Sequence, residues 1–167
     1  GKQIKWPVGT GAKGNDGVAA TIEQKDGSIG YVEQAYALQN KFTFASVKNS
    51  SGRFITPLLA STSAAAEGIE IPADLGISTI DSPNPAAYPI VSQTFMINHR
   101  NICGQKGVDA SKAAAIVGLV NYIYSKPGTS LLHKLLYAEV PADLKKKVAK
   151  QMKTLNCNGA KIKAQKF

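Results

Sequence analysis

The spacing of apolar residues divides the chain into short helices and extended segments. In residues 9–40, a glycine-rich loop precedes a small-residue run with helical spacing, a turn at Asp26-Gly27 and an alternating segment at residues 28–32. This order predicts loop, helix, turn and strand. A second short helix is predicted at residues 33–40.

The middle of the chain is less regular. The pattern there predicts a strand at residues 42–47, a turn at 49–52, an extended pair at 54–55 and a helix at 58–67. Residues 68–86 are broken by prolines and are expected to form an exposed, loop-rich insertion. Residues 87–97 form an extended apolar run, which is typical of a buried strand or of a strand that passes between two lobes.

Helices dominate the last third of the chain. They are predicted at residues 109–124, at residues 129–138 and from Pro141 onward. Asp109 or Ser111 is expected to cap the first of them, and Lys126-Pro127-Gly128 is expected to end it. Because helices alternate with strands along the whole sequence, the pattern indicates an α/β protein.

Composition places the 167 residues among globular proteins, with 44% apolar and 19% charged residues. No apolar run is long enough for a membrane span, and the opening residues do not resemble a signal peptide. Acidic and basic residues balance in residues 1–100, so the whole net charge of +9 lies in residues 101–167. Five lysines of residues 101–167 lie on the last predicted helix, namely Lys145, Lys146, Lys147, Lys150 and Lys153.

This basic helix has two interpretations. It can bind nucleic acid, anionic lipid or an acidic partner, or it can be a solvated helix face. No arginine or aromatic residue is interleaved with the lysines, as base reading or stacking would require. We therefore expect no nucleic-acid binding and favour the solvated face, with an acidic protein partner as the alternative.

Candidate chemistry is sparse. Cys103 and Cys157 are the only cysteines, and their wide spacing without clustered histidines argues against a metal site; they are expected to pair if the protein is exported. His99 and His133 are the only histidines, and surface roles are expected for both. Since no catalytic motif is present, we predict no enzyme activity, no catalytic residues and no cofactor.

The glycine-rich loop contains Gly9, Gly11 and Gly14, which fit the G-x-G-x-x-G pattern of dinucleotide-binding proteins. That pattern requires a strand directly before it, whereas here only GKQIKWPV precedes the glycines. A structural loop before a helix is favoured. Asn15 or Asp16 is expected to cap that helix with a side-chain oxygen.

Three phrases together carry a family resemblance: WPVGTGAKGNDGVAATI (residues 6–22), GSIGYVEQAYALQN (residues 27–40) and AYPIVSQTFMI (residues 87–97). They closely resemble the periplasmic phosphate-binding protein of the high-affinity phosphate ABC transporter, in the family's order and at about its spacing. The resemblance covers nearly the whole chain but only about the second half of a family member.

The resemblance implies a periplasmic binding protein-like (type II) two-lobe α/β fold. By analogy, residues 1–92 form the later part of the second lobe, residues 92–97 a crossover strand, and residues 98–167 the helices that complete the first lobe. The hinge is expected at Ser92, Gln93, Thr94 and Phe95. The implied partners are a phosphate ion, an ABC transporter permease and the N-terminal half of the same protein, outside the cytoplasm in the periplasm or at the cell exterior, with membrane association through the transporter.

The same resemblance places the phosphate ligands elsewhere. In the family they precede the segment that matches Lys5-Trp6-Pro7, so none is expected in this chain. Gly128-Thr129-Ser130 offers backbone amides at a predicted helix start, but in the family's order it lies among the C-terminal helices. We therefore interpret it as a helix cap.

Overall fold

The computed structural model describes residues 4–167. The chain forms two compact units, Gly1–Phe44 and Ala45–Phe167. Residues 1–3, which head the segment predicted to belong to the second lobe, lie outside the described residues. None of the described helices combines the length and the hydropathy that a membrane crossing requires.

Two helices, α1 (Gly14–Glu23) and α2 (Gln34–Gln39), pack against each other in the first unit. Their buried residues are Ala19 on α1 and Ala35 on α2. Small side chains at these positions let the two backbones approach closely. Both helices confirm the sequence prediction.

The strand predicted at residues 28–32 is wrong. The segment is irregular, and the side chains of Ile29 and Tyr31 are 94% and 79% exposed. The described residues of this unit contain no strand with which the segment could pair. Its backbone instead packs on α1 at Gly30, where a β-carbon would come within 2.7 Å of Ile22 Cδ1.

The second unit contains helices and very short antiparallel strands. In chain order its elements are β1 (Val47–Lys48), β2 (Phe54–Ile55), α3 (Leu59–Ala64), a 3-10 helix (Ile102–Gly104), α4 (Ala110–Ile123), α5 (Lys126–Lys134), α6 (Ala142–Met152), β3 (Asn156–Cys157) and β4 (Ala160–Lys161). β1 pairs with β2, and β3 pairs with β4. This content is compatible with the predicted α/β class.

The β1–β2 hairpin is shorter than predicted. Val47 pairs with Ile55 and Lys48 with Phe54, while residues 42–46 take no part in a ladder. The Phe42 amide donates to the carbonyl of Ala37 (2.9 Å) and thereby closes the end of α2, which removes that residue from extended pairing. The predicted turn at residues 49–52 is confirmed.

Asn49 sits at the start of this turn with its side chain buried. Its Nδ2 donates to the carbonyls of Pro85 (3.2 Å) and Ala87 (3.1 Å). Its Oδ1 accepts from the amides of Ser51 and Arg53, each at 3.1 Å. One carboxamide therefore joins the hairpin turn to a distant loop.

Residues 68–86 are irregular and mostly exposed, as predicted, but four of their side chains are buried. Ile71 and Ile77 are buried and form one cluster with Ala66 of the preceding turn and Leu144 of α6. Lys147 of α6 also donates its Nζ proton to the Ile71 carbonyl (2.6 Å). The loop therefore packs its isoleucines against the apolar face of α6.

The prediction of a buried strand at residues 87–97 is also wrong. Ala87 and Val91 are buried beside Ala65, and Thr79 Oγ1 donates to the Val91 carbonyl (2.8 Å). Residues 92–97 then run without regular structure and without a ladder partner among the described residues. An extended segment with no neighbouring strand forms no sheet, however apolar its sequence is.

The junction of α4 and α5 differs from the prediction. Asp109 caps α4 as predicted, because its Oδ1 accepts from the Lys112 amide (2.8 Å). Lys126-Pro127-Gly128 follows the end of α4 as predicted, but it also forms the first turn of α5. Ser125 caps that turn by accepting the Gly128 amide (3.3 Å). Proline is tolerated there because first-turn amides have no helical partner.

Helix α6 and the disulfide confirm their predictions. The helix follows Pro141, carries Asp143 in its first turn and buries Leu144. Cys103 and Cys157, separated by 54 residues, form a disulfide between the 3-10 helix and β3. Buried apolar side chains surround this crosslink, among them Ile102, Ala113 and Val117.

We predict that Asn49→Ala lowers the free energy of unfolding by about 2 kcal/mol, because it leaves two carbonyls and two amides without their partner. Urea denaturation measures the change. Asn98→Ala is the matched control, since Asn98 is exposed, and it should stay close to the parent chain. An Asn49→Ala variant as stable as the Asn98→Ala variant contradicts the prediction.

Gly128→Ala should also destabilise the second unit. A β-carbon at this position would lie 2.0 Å from the Tyr122 carbonyl oxygen, which belongs to the last turn of α4. We expect a loss of about 2–3 kcal/mol in thermal unfolding from overpacking. Gly17→Ala is the control within a helix; there the nearest contact is an ordinary 3.4 Å, and alanine should raise helix stability.

Loss of the Cys103–Cys157 crosslink should lower the free energy of unfolding by about 4 kcal/mol, because the unfolded chain regains the entropy of a long loop. The double variant Cys103→Ser, Cys157→Ser is compared with the oxidised chain by urea denaturation. Before that, alkylation without reductant should leave the intact mass unchanged. Two alkylated thiols would refute the pairing in solution.

Candidate functional site

The glycine-rich loop enters α1 without a strand before it among the described residues. Gly14 has a positive φ of 65°, and Lys13 stands at the N-cap without a side-chain bond. The predicted caps Asn15 and Asp16 are therefore wrong. Asn15 Oδ1 instead accepts from the Glu33 amide (2.9 Å) and links the starts of α1 and α2. A dinucleotide site lacks its structural context here.

A small groove between α1 and α2 is acidic. It encloses about 310 Å³ and is lined in part by Asp16, Glu23 and Tyr36. The Asp16 carboxylate raises the pKa of the Tyr36 hydroxyl through its charge and through a hydrogen bond. No basic residue among residues 4–167 lines the groove. Two carboxylates repel an anion, so this groove does not suit phosphate.

The predicted hinge residues lie together in an irregular, largely exposed segment. Ser92, Thr94 and Phe95 are exposed, and Gln93 is half-buried. Phe95 and Met96 are about half exposed, and Ile97 is 92% exposed. The Nε2 atom of Gln93 is buried and has no hydrogen-bond partner among the described residues. No sequence signal marks this unpaired amide, because burial of one atom depends on tertiary contacts.

The basic face of α6 is narrower than its sequence suggests. Lys145 forms an ion pair with Glu139, and Lys147 donates to the Ile71 carbonyl. Both ammonium groups therefore stabilise the fold. Lys146, Lys150 and Lys153 are exposed, and Lys147 is exposed too although its ammonium group is bonded.

The start of α5 is not an open anion site. Gly128 donates its amide to Ser125 Oγ, and Thr129 donates its amide to the Ser125 carbonyl (2.9 Å). Gly128-Thr129-Ser130 therefore lies inside the helix, and the predicted cap role belongs to Ser125. The resemblance interpretation, which assigns no phosphate ligand to this segment, stays a prediction.

The two histidines are exposed. His133 Nε2 lies 3.7 Å from Glu139 Oε2, on the same glutamate that binds Lys145. His99 lies in the exposed stretch before the 3-10 helix. Within residues 4–167 no three metal-ligating side chains converge. These positions supply no catalytic pair.

Comparison with known proteins identifies relatives of the chain. No family model matches it. It is 32% identical over 150 residues to the phosphate-binding protein PstS of Xylella fastidiosa, and this match covers 89% of the chain and 40% of the relative. It is 33% identical over 156 residues to PstS of Pasteurella multocida, with 92% of the chain and 44% of the relative covered.

The chain is a homologue of part of these PstS phosphate-binding proteins. The family resemblance predicted from the sequence phrases is thereby confirmed. A further relative, PstS of Methanocaldococcus jannaschii, is 31% identical over an alignment of 140 residues, and the match covers 75% of the chain and 36% of that protein. The chain thus spans less than half the length of the PstS relatives it matches.

Proposed function

We propose that this chain works in inorganic phosphate binding, as part of the extracytoplasmic solute-binding component of a phosphate ABC transporter. It supplies scaffold and hinge, while the residues that contact phosphate lie in a complementary N-terminal half. The observation that carries the proposal is the match of about nine tenths of the chain to proteins named for phosphate binding.

The limited share of each relative supports a division of labour. The matched region covers 40–44% of the Xylella and Pasteurella proteins. The two candidate anion sites of this chain do not suit an anion. The α1–α2 groove is acidic, and the first amides of α5 are already bonded. A phosphate site built by another segment agrees with both facts.

The segment of residues 92–97 supports a contact with that other segment. Ile97 is almost fully exposed although its side chain is apolar. The buried side-chain amide of Gln93 has no hydrogen-bond partner among the described residues. Covering both with a complementary strand would bury apolar surface and give the amide an acceptor. We assign the hinge to Ser92, Gln93, Thr94 and Phe95 on this ground.

The proposed mechanism needs two lobes of periplasmic binding protein type, with residues 1–92 in the second lobe and residues 98–167 completing the first. Phosphate is held in the cleft by charge-assisted and backbone hydrogen bonds. Closure about the hinge then shields the ion from water, and opening at the permease releases it. The chain carries no chemical step, so we propose a binding protein and not an enzyme, working in the periplasm or at the cell exterior.

We expect this chain alone to bind no phosphate and to bind it tightly once complemented. The test is titration calorimetry with inorganic phosphate on the chain by itself and on the chain co-expressed with the remaining, unmatched part of Pasteurella PstS. Sulfate is the control anion. A saturable heat of phosphate binding that appears only in the complemented sample supports phosphate ligands outside this chain.

The hinge is tested in the same complemented sample. Thr94→Pro fixes the backbone φ angle in the hinge and should weaken phosphate binding about tenfold. Ser78→Pro is the control, because it restricts an exposed loop residue outside the hinge. A phosphate affinity that Thr94→Pro leaves unchanged contradicts the proposed hinge. In the first test, tight phosphate binding by the chain alone contradicts the placement of the phosphate ligands in another segment.

A further inference from the structure

A second cavity lies within the C-terminal part of the second unit. It encloses about 290 Å³ between α4, α6 and the segment that follows α6. Its lining includes the apolar side chains of Met152, Leu155 and Ile162 and the polar side chains of Asn121, Lys153 and Lys161. No acidic residue lines it. Nothing in the proposed phosphate function uses this cavity.

The apolar floor of this cavity is held in place by the fold. Met152, Leu155 and Ile162 are half-buried and pack on the core that surrounds the disulfide. The segment after α6 is fixed at one end by the Cys103–Cys157 crosslink. Further along, the Gln165 amide donates to the Ala114 carbonyl of α4 (3.0 Å). The segment that forms this wall of the cavity is therefore attached to the rest of the unit at two points.

The charges at the cavity are unpaired. The side chains of Lys153 and Lys161 make no hydrogen bond or ion pair among the described residues, in contrast to the side chains of Lys145 and Lys147 in the same unit. Both lysines line the cavity together with Asn121 and the apolar residues of its floor. This arrangement is complementary to a ligand with an apolar body and one anionic end.

The volume limits the size of that ligand. At about 30 Å³ for each water-sized group, 290 Å³ holds about ten non-hydrogen atoms. We propose that this cavity binds a small amphiphilic carboxylate, with its chain or ring on Met152, Leu155 and Ile162 and its carboxylate between Lys153 and Lys161. Octanoate has the required size and charge.

The two methionines of the chain provide the measurement. Met152 lines the cavity, whereas Met96 is an exposed residue that directly follows the proposed hinge. With both methyl groups labelled with carbon-13, octanoate should shift the Met152 signal saturably and leave the Met96 signal in place. Octan-1-ol, which has the same chain without the charge, should bind clearly more weakly. Inorganic phosphate should move neither methyl signal.

Variants separate the two parts of the site. Ala149→Leu places a larger side chain at the lining on a helix that tolerates leucine, and it should abolish the octanoate shift. Lys153→Gln with Lys161→Gln should weaken octanoate about tenfold, since each exposed charge contact is worth about threefold. Lys146→Gln with Lys150→Gln is the matched control on the same helix, because neither residue lines the cavity. It should leave the affinity unchanged.

Several results would overturn the proposal. Parallel, non-saturating shifts of both methionines would show only general adsorption to apolar surface. Equal affinity for octanoate and octan-1-ol, or an unchanged affinity in the Lys153 and Lys161 double variant, would refute the role of the charges. A Met152 signal at the position of an unfolded chain would show that the cavity is not formed. None of these outcomes bears on phosphate binding, which is measured separately.

Discussion

The second unit depends on hydrogen bonds from buried side chains to backbone groups that no sheet satisfies. Its strands are two residues long, so the long irregular segments between them have few ladder partners. Buried backbone amides and carbonyls must nevertheless be paired. Asn49 serves four such groups, and Thr79 serves the Val91 carbonyl. These contacts turn segments without regular structure into fixed parts of the core.

The same need for hydrogen-bond partners is not fully met at residues 92–97 by the described part of the chain. Upstream of this segment, Val91 is buried and its carbonyl is paired. Within it, the backbone has no ladder, Ile97 is exposed and Gln93 carries an unpaired amide. The chain therefore presents an apolar, incompletely bonded surface in the segment that includes the proposed hinge. The buried residues that end at Val91 are thus followed directly by the exposed segment of residues 92–97.

The C-terminal part of the unit is constrained differently. There a covalent crosslink and well-capped helices take over from side-chain bridges, and Asp109 and Ser125 close the starts of α4 and α5. Two of the lysines of α6 are used internally, by Glu139 and by the Ile71 carbonyl. Of the remaining lysines, Lys153 lines the small apolar cavity together with Lys161, whereas Lys146 and Lys150 do not. A positive net charge alone would not have shown this distribution.

The sequence by itself determined the helices, the family and the disulfide. Helical spacing, the Asp109 cap and the three family phrases depend on neighbours along the chain, and the two cysteines had no other partner. Only the tertiary structure decided that residues 28–32 and 87–97 form no strands, because a strand exists only where another strand pairs with it. It also decided that Ile71 and Ile77 are buried, since burial depends on α6, which lies far along the chain. The candidate cavity could not be predicted for the same reason: its lining comes from helices and a tail that meet only after folding.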